Sequence, residues 1–267
     1  MSSSADHTAD QPILLRDEAD GICTLTLNRP NQYNALSSEL LGELQRTLDE
    51  INANQAIRAV IIAANGKAFC SGHDLKEMRS SEDREYHRTL FEKCGNMMLT
   101  IHKLRQPVIA QVNGIATAAG CQLVANCDLA VAAADARFAV SGINVGLFCA
   151  TPAVPLSRNV PRKQALQMLL TGDFISAQKA QQYGLVNDVV PADQLEAATQ
   201  KLVQKIVGKS SLAICIGKDM FYKQLAMDLA TAYAYAGERM ACNMDSHDAR
   251  EGVDAFIQKR APVWKGC

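Results

Sequence analysis

Two short apolar runs, Ala59–Ala64 and Val108–Val112, each end in Asn-Gly, at Asn65-Gly66 and Asn113-Gly114. Each leads through a loop of small residues into a helical pattern. A strand apolar at nearly every position is buried on both faces. Repeated strand–loop–helix units of this kind predict a mainly parallel sheet with helical cover, an α/β fold.

Other segments fit that frame. Ile13–Arg16 and Ile22–Leu27, flanking Glu18-Ala19-Asp20-Gly21, read as a β-hairpin. Leu129–Val131 reads as a third central strand. Leu40, Leu41, Leu44 and Leu48 recur at helical spacing between Ser37 and Ile51, and Leu90, Met97, Met98 and Ile101 do so over 82–104. After about residue 160 helical patterns dominate, over 164–170, 177–183, 195–207, 212–238 and 247–259. Asp193 with Glu196 resembles a capping box at the start of one of them, and Leu195, Ala198, Leu202 and Ile206 form its apolar face. No linker rich in Pro or Gly separates the halves. The expected division is a disordered tail over 1–11, a core over 12–200 and a helical C-terminal region over 201–267.

Charge and composition exclude several classes. With 27 Lys and Arg against 28 Asp and Glu, the formal charge is −1, without the basic excess of a nucleic-acid binder. Nine cysteines occur, an odd number with no CxxC pair, which argues against a disulfide framework and a zinc site. Cys23 and Cys127 sit in apolar runs, where the thiol packs as a small hydrophobe. No run of about 18 uncharged apolar residues predicts a membrane span. The polar N-terminus, with Asp6 and Asp10, shows neither an apolar signal core nor an Arg-rich targeting pattern.

The two small-residue loops are the candidate site. Ligands of open α/β sheets favour such strand ends, and helix N-termini there present unpaired N–H groups. If the loops face each other, two N–H groups converge on one oxygen as an oxyanion hole. The alternative is two ordinary tight connections.

The residues in these loops resemble those of the enoyl-CoA hydratase/isomerase (crotonase) superfamily. Gly66-Lys67-Ala68-Phe69-Cys70-Ser71-Gly72-His73-Asp74-Leu75 looks like its first oxyanion loop. Asn113-Gly114, Ala118-Ala119-Gly120-Cys121 and Asn126-Cys127-Asp128 look like the second. Asn28-Arg29-Pro30 with Asn34-Ala35-Leu36, Leu170-Thr171-Gly172 with Ile175-Ser176-Ala177 and Gly184-Leu185-Val186, and Glu251–Phe256 with Lys259-Arg260-Ala261-Pro262 match further signatures in order. The resemblance implies a ClpP/crotonase-like spiral of ββα units with a C-terminal helical trimerisation region, forming homotrimers or hexamers. It implies a coenzyme A thioester as ligand or substrate, no metal, and a mitochondrial matrix setting in fatty-acid and lipid metabolism. The backbone N–H groups of His73 and Ala119 would form the oxyanion hole. Asn34, Ala35, Ala68, Ser71, His73, Lys259 and Arg260 would contact the ligand, the last two through CoA phosphates. Asp74 and Asp128 are expected to cap helices or turns, and Glu77 to be solvated. Trp264 is expected to anchor the tail.

The sequence departs from the family where hydration chemistry is concentrated. Hydratases place one glutamate just after the glycine turn and another further along. Here those positions hold Gln122 and Gly142. A Gln holds water but does not accept its proton, and a Gly offers no side chain. Losing acid–base assistance costs about 10²–10⁴-fold per group. Ser141, Asn144 and Cys149 lie near the vacant position, and Phe148 in Gly146-Leu147-Phe148-Cys149 is placed to reshape the acyl pocket. The expected function is acyl-CoA binding with little hydratase activity. Alternatives are an acyl-CoA decarboxylase or thioester hydrolase using the oxyanion hole, residual hydratase or isomerase activity, or a structural partner.

Overall fold

A computed structural model describes residues 12–267, so the tail expected over 1–11 lies outside the described residues. The expected hairpin forms from β1 (Leu14–Ala19) and β2 (Ile22–Leu27), antiparallel around Asp20 and Gly21. Both turn residues have positive φ, 52° and 76°, the hand that matches strand twist. The chain continues through α1 (Ser38–Ala53), β3 (Ala59–Ala64), β4 (Ala68–Cys70), α2 (Leu75–Arg79) and α3 (Arg84–Lys103). A second turn is β5 (Val108–Val112), β6 (Ile115–Thr117) and α4 (Ala119–Asn126). A third begins with β7 (Leu129–Ala133) and β8 (Arg137–Ala139), followed by α5 (Ala150–Asn159), α6 (Arg162–Thr171), β9 (Ile175–Ser176), α7 (Ala177–Gln182) and β10 (Asp188–Val190). Four helices close the chain: α8 (Leu195–Val207), α9 (Ser211–Gln224), α10 (Leu229–Met244) and α11 (His247–Ile257).

Each ββα turn puts its longer strand in one sheet and its shorter strand in another. The first sheet runs β1-β2-β3-β5-β7-β10 and the second β4-β6-β8-β9. Every pairing in the first beyond the hairpin is parallel. Alternate residues of β3 face opposite ways: Val60 and Ile62 join the main core, while Ala59, Ile61 and Ala63 pack with Val203 of α8. Burial on both faces explains why this strand is an unbroken apolar run. On the main-core side α1 buries Leu40, Leu41, Leu44, Leu48 and Ile51, and α3 buries Leu90, Met97, Met98 and Ile101. Ser37 caps α1 by accepting from the Leu40 N–H.

Three expectations change. The single helix expected over 212–238 is two, α9 and α10, and Asp228 caps the second by accepting from the N–H groups of Ala230 and Thr231. No capping box forms at Asp193 and Glu196; a short 3-10 turn, Ala192–Gln194, leads directly into α8, whose N-cap Gln194 makes no side-chain cap bond. The boundary expected at residue 200 falls inside α8, which covers the sheet. The change in packing comes after it: α9 buries only Lys218 and α10 buries nothing. Trp264 anchors the tail, its indole N–H donating to the Gly208 carbonyl at 2.9 Å. All nine cysteines are free, six of them buried. Among the described residues no helix is long and apolar enough to cross a membrane.

Candidate active site

The short strands deliver two loops to one place. β4 ends at Cys70, and Ser71-Gly72-His73 leads to α2, whose N-terminus Asp74 caps by accepting from Lys76 N (3.1 Å) and Glu77 N (3.3 Å). β6 ends at Thr117, and Ala118 leads into α4. Gly72 has φ +96°, and a Cβ there would stand 2.8 Å from the Ala118 Cβ and 3.1 Å from the Ala119 nitrogen. The loops are therefore in contact, and only glycine permits it. Ala118 carries the strain of the second turn, at φ 49° and ψ −121°. Ala119 is the first residue of α4 and has no positive φ, so its Cβ is compatible with the turn. The backbone N–H groups of His73 and Ala119 have no acceptor among the described residues.

Both residues line one cavity of about 230 Å³. Its wall is mostly apolar, including Phe91, Met78 and Phe148, and contains no carboxylate, lysine or arginine. The His73 ring meets Phe91 edge-on, with centroids 5.5 Å apart. Both ring nitrogens are buried without a hydrogen-bond partner. Burial pushes the His73 pKa below its ordinary 6.5, so the ring is neutral near pH 7. Ser141, also in the wall, shares a 2.7 Å hydrogen bond with the Thr117 hydroxyl. Parallel short strands and a glycine-enforced loop contact thus bring two free N–H groups to one cavity.

The family model for enoyl-CoA hydratase/isomerase matches residues 17–267. The chain belongs to the enoyl-CoA hydratase/isomerase family. It is 48% identical over 247 residues to the mouse (Mus musculus) mitochondrial enoyl-CoA hydratase domain-containing protein 3, covering 92% of this chain and 82% of that one. A solved enoyl-CoA hydratase from Mycobacterium smegmatis superposes with a TM-score of 0.94 at 56% identity, over 95% of this chain and 99% of that one. The human enoyl Coenzyme A hydratase domain-containing protein 3 superposes at 0.93 with 46% identity, over 95% and 100%.

In this family member the expected site residues divide into three groups. Ser71, His73, Ala119 and Gly142 meet at the cavity. Gln122 lies on α4, buried, with Oε1 unpartnered, and is not part of the cavity wall. Gly142 has no open space for a side chain. A Cβ there would stand 2.5 Å from the Leu147 carbonyl oxygen and 2.7 Å from the Cys149 Sγ. The loop is fixed in that shape by Leu147 N donating to the Gly142 carbonyl (3.0 Å) and Gly142 N donating to Cys149 Sγ (3.2 Å). Burial raises the Cys149 pKa, which keeps it a thiol.

The second group supports the loops and does not reach the cavity. The Asn34 side chain is completely used inside: Oδ1 accepts from Arg29 N at 2.8 Å, and Nδ2 donates to the carbonyls of Asn65 (2.9 Å) and Ala68 (2.8 Å). These bonds tie the 29–35 turn to the segment over 65–68. Ala35 and Ala68 are likewise buried and outside the cavity wall. Glu77 is not solvated as expected; its Oε2 accepts from Ser38 N at 2.9 Å, at the start of α1. Asp128 is structural, accepting from Val108 N (2.6 Å), Lys218 Nζ (2.7 Å) and the Tyr222 hydroxyl (2.7 Å).

The third group, Lys259 and Arg260, follows α11 and does not line the cavity. Arg260 is paired with Glu251 through two bonds of 2.6 and 2.8 Å, and that guanidinium holds the Glu251 pKa at about 2. Sequence reasoning missed Phe91, Leu75 and Val145 as cavity residues. Phe91 had a signal: it is an apolar residue beside, and not within, the inward stripe of α3.

Proposed function

We propose that this family member binds an acyl-CoA thioester, with the thioester oxygen between the N–H groups of His73 and Ala119, and hydrates enoyl-CoA inefficiently or not at all. One observation carries the reading: a cavity with two free, adjacent backbone donors and no carboxylate. The donors polarise a carbonyl and stabilise negative charge that develops on it, in a mostly apolar cavity. The positive end of α4 adds to the effect. Hydration further needs a base for water and an acid for the α-carbon, each contributing about 10²–10⁴-fold. Gln122 cannot act as a base, and the Gly142 position is filled by its own loop.

A second reading, thioester hydrolysis, draws on the Ser141–Thr117 hydroxyl pair and the neutral, unpartnered His73 ring in the same cavity. These groups would hold a water near the polarised carbonyl. Decarboxylation of a malonyl-type thioester has less support, since no cationic side chain lines the cavity to receive the acid. Of the two basic residues after α11, Lys259 is the freer for a CoA phosphate, because Arg260 is engaged by Glu251. A mitochondrial setting is supported by relatives named mitochondrial, while the similar Mycobacterium smegmatis structure comes from a bacterium, so the fold by itself does not set the compartment.

The test is titration with butyryl-CoA labelled with ¹³C at the thioester carbonyl, read by calorimetry and infrared spectroscopy. Binding with the carbonyl stretch moved to lower frequency is expected, together with negligible hydration of crotonyl-CoA. Absence of binding at millimolar ligand, or rapid hydration, overturns the reading.

A further inference from the structure

A second opening shares no residue with the cavity described above. α9 is pinned below the sheet by Lys218, whose ammonium donates to the carbonyls of Ile101 and Gln106 and pairs with Asp128. The Tyr222 hydroxyl donates to the other Asp128 oxygen. Beside this anchor a groove of about 570 Å³ opens between α8 and α9. Its floor is apolar, made by Pro107 just before β5, Leu129 at the start of β7, Ile206 of α8 and Ile214 of α9. Gly217 of α9 also lines it, and a Cβ there would meet nothing within 4 Å. An apolar space of roughly 150 Å³ admits a benzene ring, so this groove has room for a considerably longer chain.

The edge of the groove is cationic. Lys205 and Lys209 line it, and both are exposed. The lysine ion pairs among the described residues are Lys218–Asp128 and Lys223–Asp219, which leaves Lys205 and Lys209 unpaired. Arg58 adds a third positive charge nearby, donating to the Lys209 carbonyl. Asp128 is the one carboxylate in the lining, and Lys218 already neutralises it. The region is thus locally positive on a chain whose formal charge is −1. Apolar walls with a few placed charges complement a ligand that is apolar along its length and charged at one end.

From the apolar floor and the unpaired lysines at its edge, we propose that the α8–α9 groove is a second binding site, for a single-chain lipid with an anionic head group. The chain lies along Ile206 and Ile214, and a carboxylate or phosphate head meets Lys205 and Lys209. This site is separate from the acyl-CoA cavity and does not depend on that reading. The molecule also carries its own reporter. Trp264, the sole tryptophan, donates to the Gly208 carbonyl, next to Lys209, so its emission senses this groove.

The experiment titrates hexanoate, decanoate, decyl phosphate and 1-decanol below micelle-forming concentrations, read by calorimetry and Trp264 emission. It compares the natural protein with Gly217→Leu, which fills the groove, and with Lys205→Glu/Lys209→Glu, which reverses its edge. Half-burying one methylene is worth about twofold in affinity, so decanoate should bind roughly tenfold more tightly than hexanoate. Reversing two exposed charges should weaken decanoate by about tenfold. Gly217→Leu should abolish the emission change, and both variants should bind butyryl-CoA like the natural protein. The tighter of decanoate and decyl phosphate identifies the head group. Decanoate binding that neither variant alters overturns the proposal, and so does 1-decanol binding as tightly as decanoate. A variant that stays folded by circular dichroism but loses its oligomer by light scattering assigns the groove to a second copy of the chain and overturns it as well. Failure of the acyl-CoA reading is distinct, because it leaves decanoate binding and its loss in the variants intact.

Discussion

At Gly142 the glycine and the folded loop are one feature. Because Leu147 O and Cys149 Sγ occupy the Cβ direction, Gly142→Glu forces the loop open and costs about 1–3 kcal/mol through overpacking. Gln122→Glu alone supplies one carboxylate of the two that hydration uses. We expect that neither change, nor the pair, brings crotonyl-CoA hydration to an efficient rate; an absorbance assay of the double variant showing fast turnover would refute this. His73 permits a second residue-scale prediction. Its folded pKa is pushed below 6.5 by burial, so below that pH the unfolded chain takes up a proton that the native ring resists. Stability is full above about 6.5 and declines as pH falls toward the lowered folded value. The same sign holds for His102, also lowered by burial. His73→Gln should therefore make the fall in melting temperature from about pH 7 to about pH 5 shallower without abolishing it, and an unchanged slope would refute the assignment. Gln122 and Gly142 stood out in the sequence only against the pattern the family resemblance supplies. The occlusion of Gly142 was not, since it depends on where Leu147 returns in space. Asn34 shows the same limit: its motif was visible, but its three internal bonds were not.

Elements differ in legibility according to how many residues carry a period. β3, α1, α3 and α8 were readable because each repeats its pattern over several residues. β4, β6 and β8 have three residues each, too few for alternation to register, yet β4 and β6 aim the two loops at one another. The break between α9 and α10 carries no Gly or Pro, only the cap Asp228. Two predictions belong to these junctions. Ala118 holds a conformation that costs a non-glycine residue about 1–3 kcal/mol, while glycine loses about 0.5–1 kcal/mol in chain entropy. Ala118→Gly should therefore stabilise the fold by about 1 kcal/mol, seen as a higher denaturant midpoint at unchanged slope; a lower midpoint would count against the strain. Between α9 and β5, the buried Lys218 ammonium bridges Asp128 (2.7 Å) and the carbonyls of Ile101 and Gln106 (2.9 Å each). Removing the cation leaves Asp128 with its bonds from Val108 N and Tyr222 but no counter-charge, so Lys218→Met should cost about 3 kcal/mol. Adding Asp128→Asn should recover part of that loss, and strictly additive costs would argue against a coupled pair.

On the scale of the whole molecule, the C-terminal helices have an apolar surface with no cover in the single chain. α10 buries nothing, yet Leu229, Tyr233, Met240 and Met244 recur at spacings of four, seven and four along it, all exposed. Such a stripe at helical spacing is normally turned toward a partner surface. Leu225 and Phe221 extend it onto α9, and Phe256 and Ile257 add exposed apolar groups at the end of α11. Near-neutral net charge, −1, leaves little long-range repulsion to keep copies apart. The stripe is therefore the natural contact for the homotrimer that the family resemblance leads one to expect, and α9, held to the sheet by Lys218, sets the angle at which it is presented. Placing acids in the stripe, as Tyr233→Asp with Met240→Asp, exposes charge where burial is required and leaves the core untouched, since neither side chain contributes to it. The expected outcome is a trimer for the natural protein and a monomer for the variant by light scattering, with circular dichroism showing both folded. A natural protein that is monomeric, or a variant that keeps the trimer, would remove α10 from the interface.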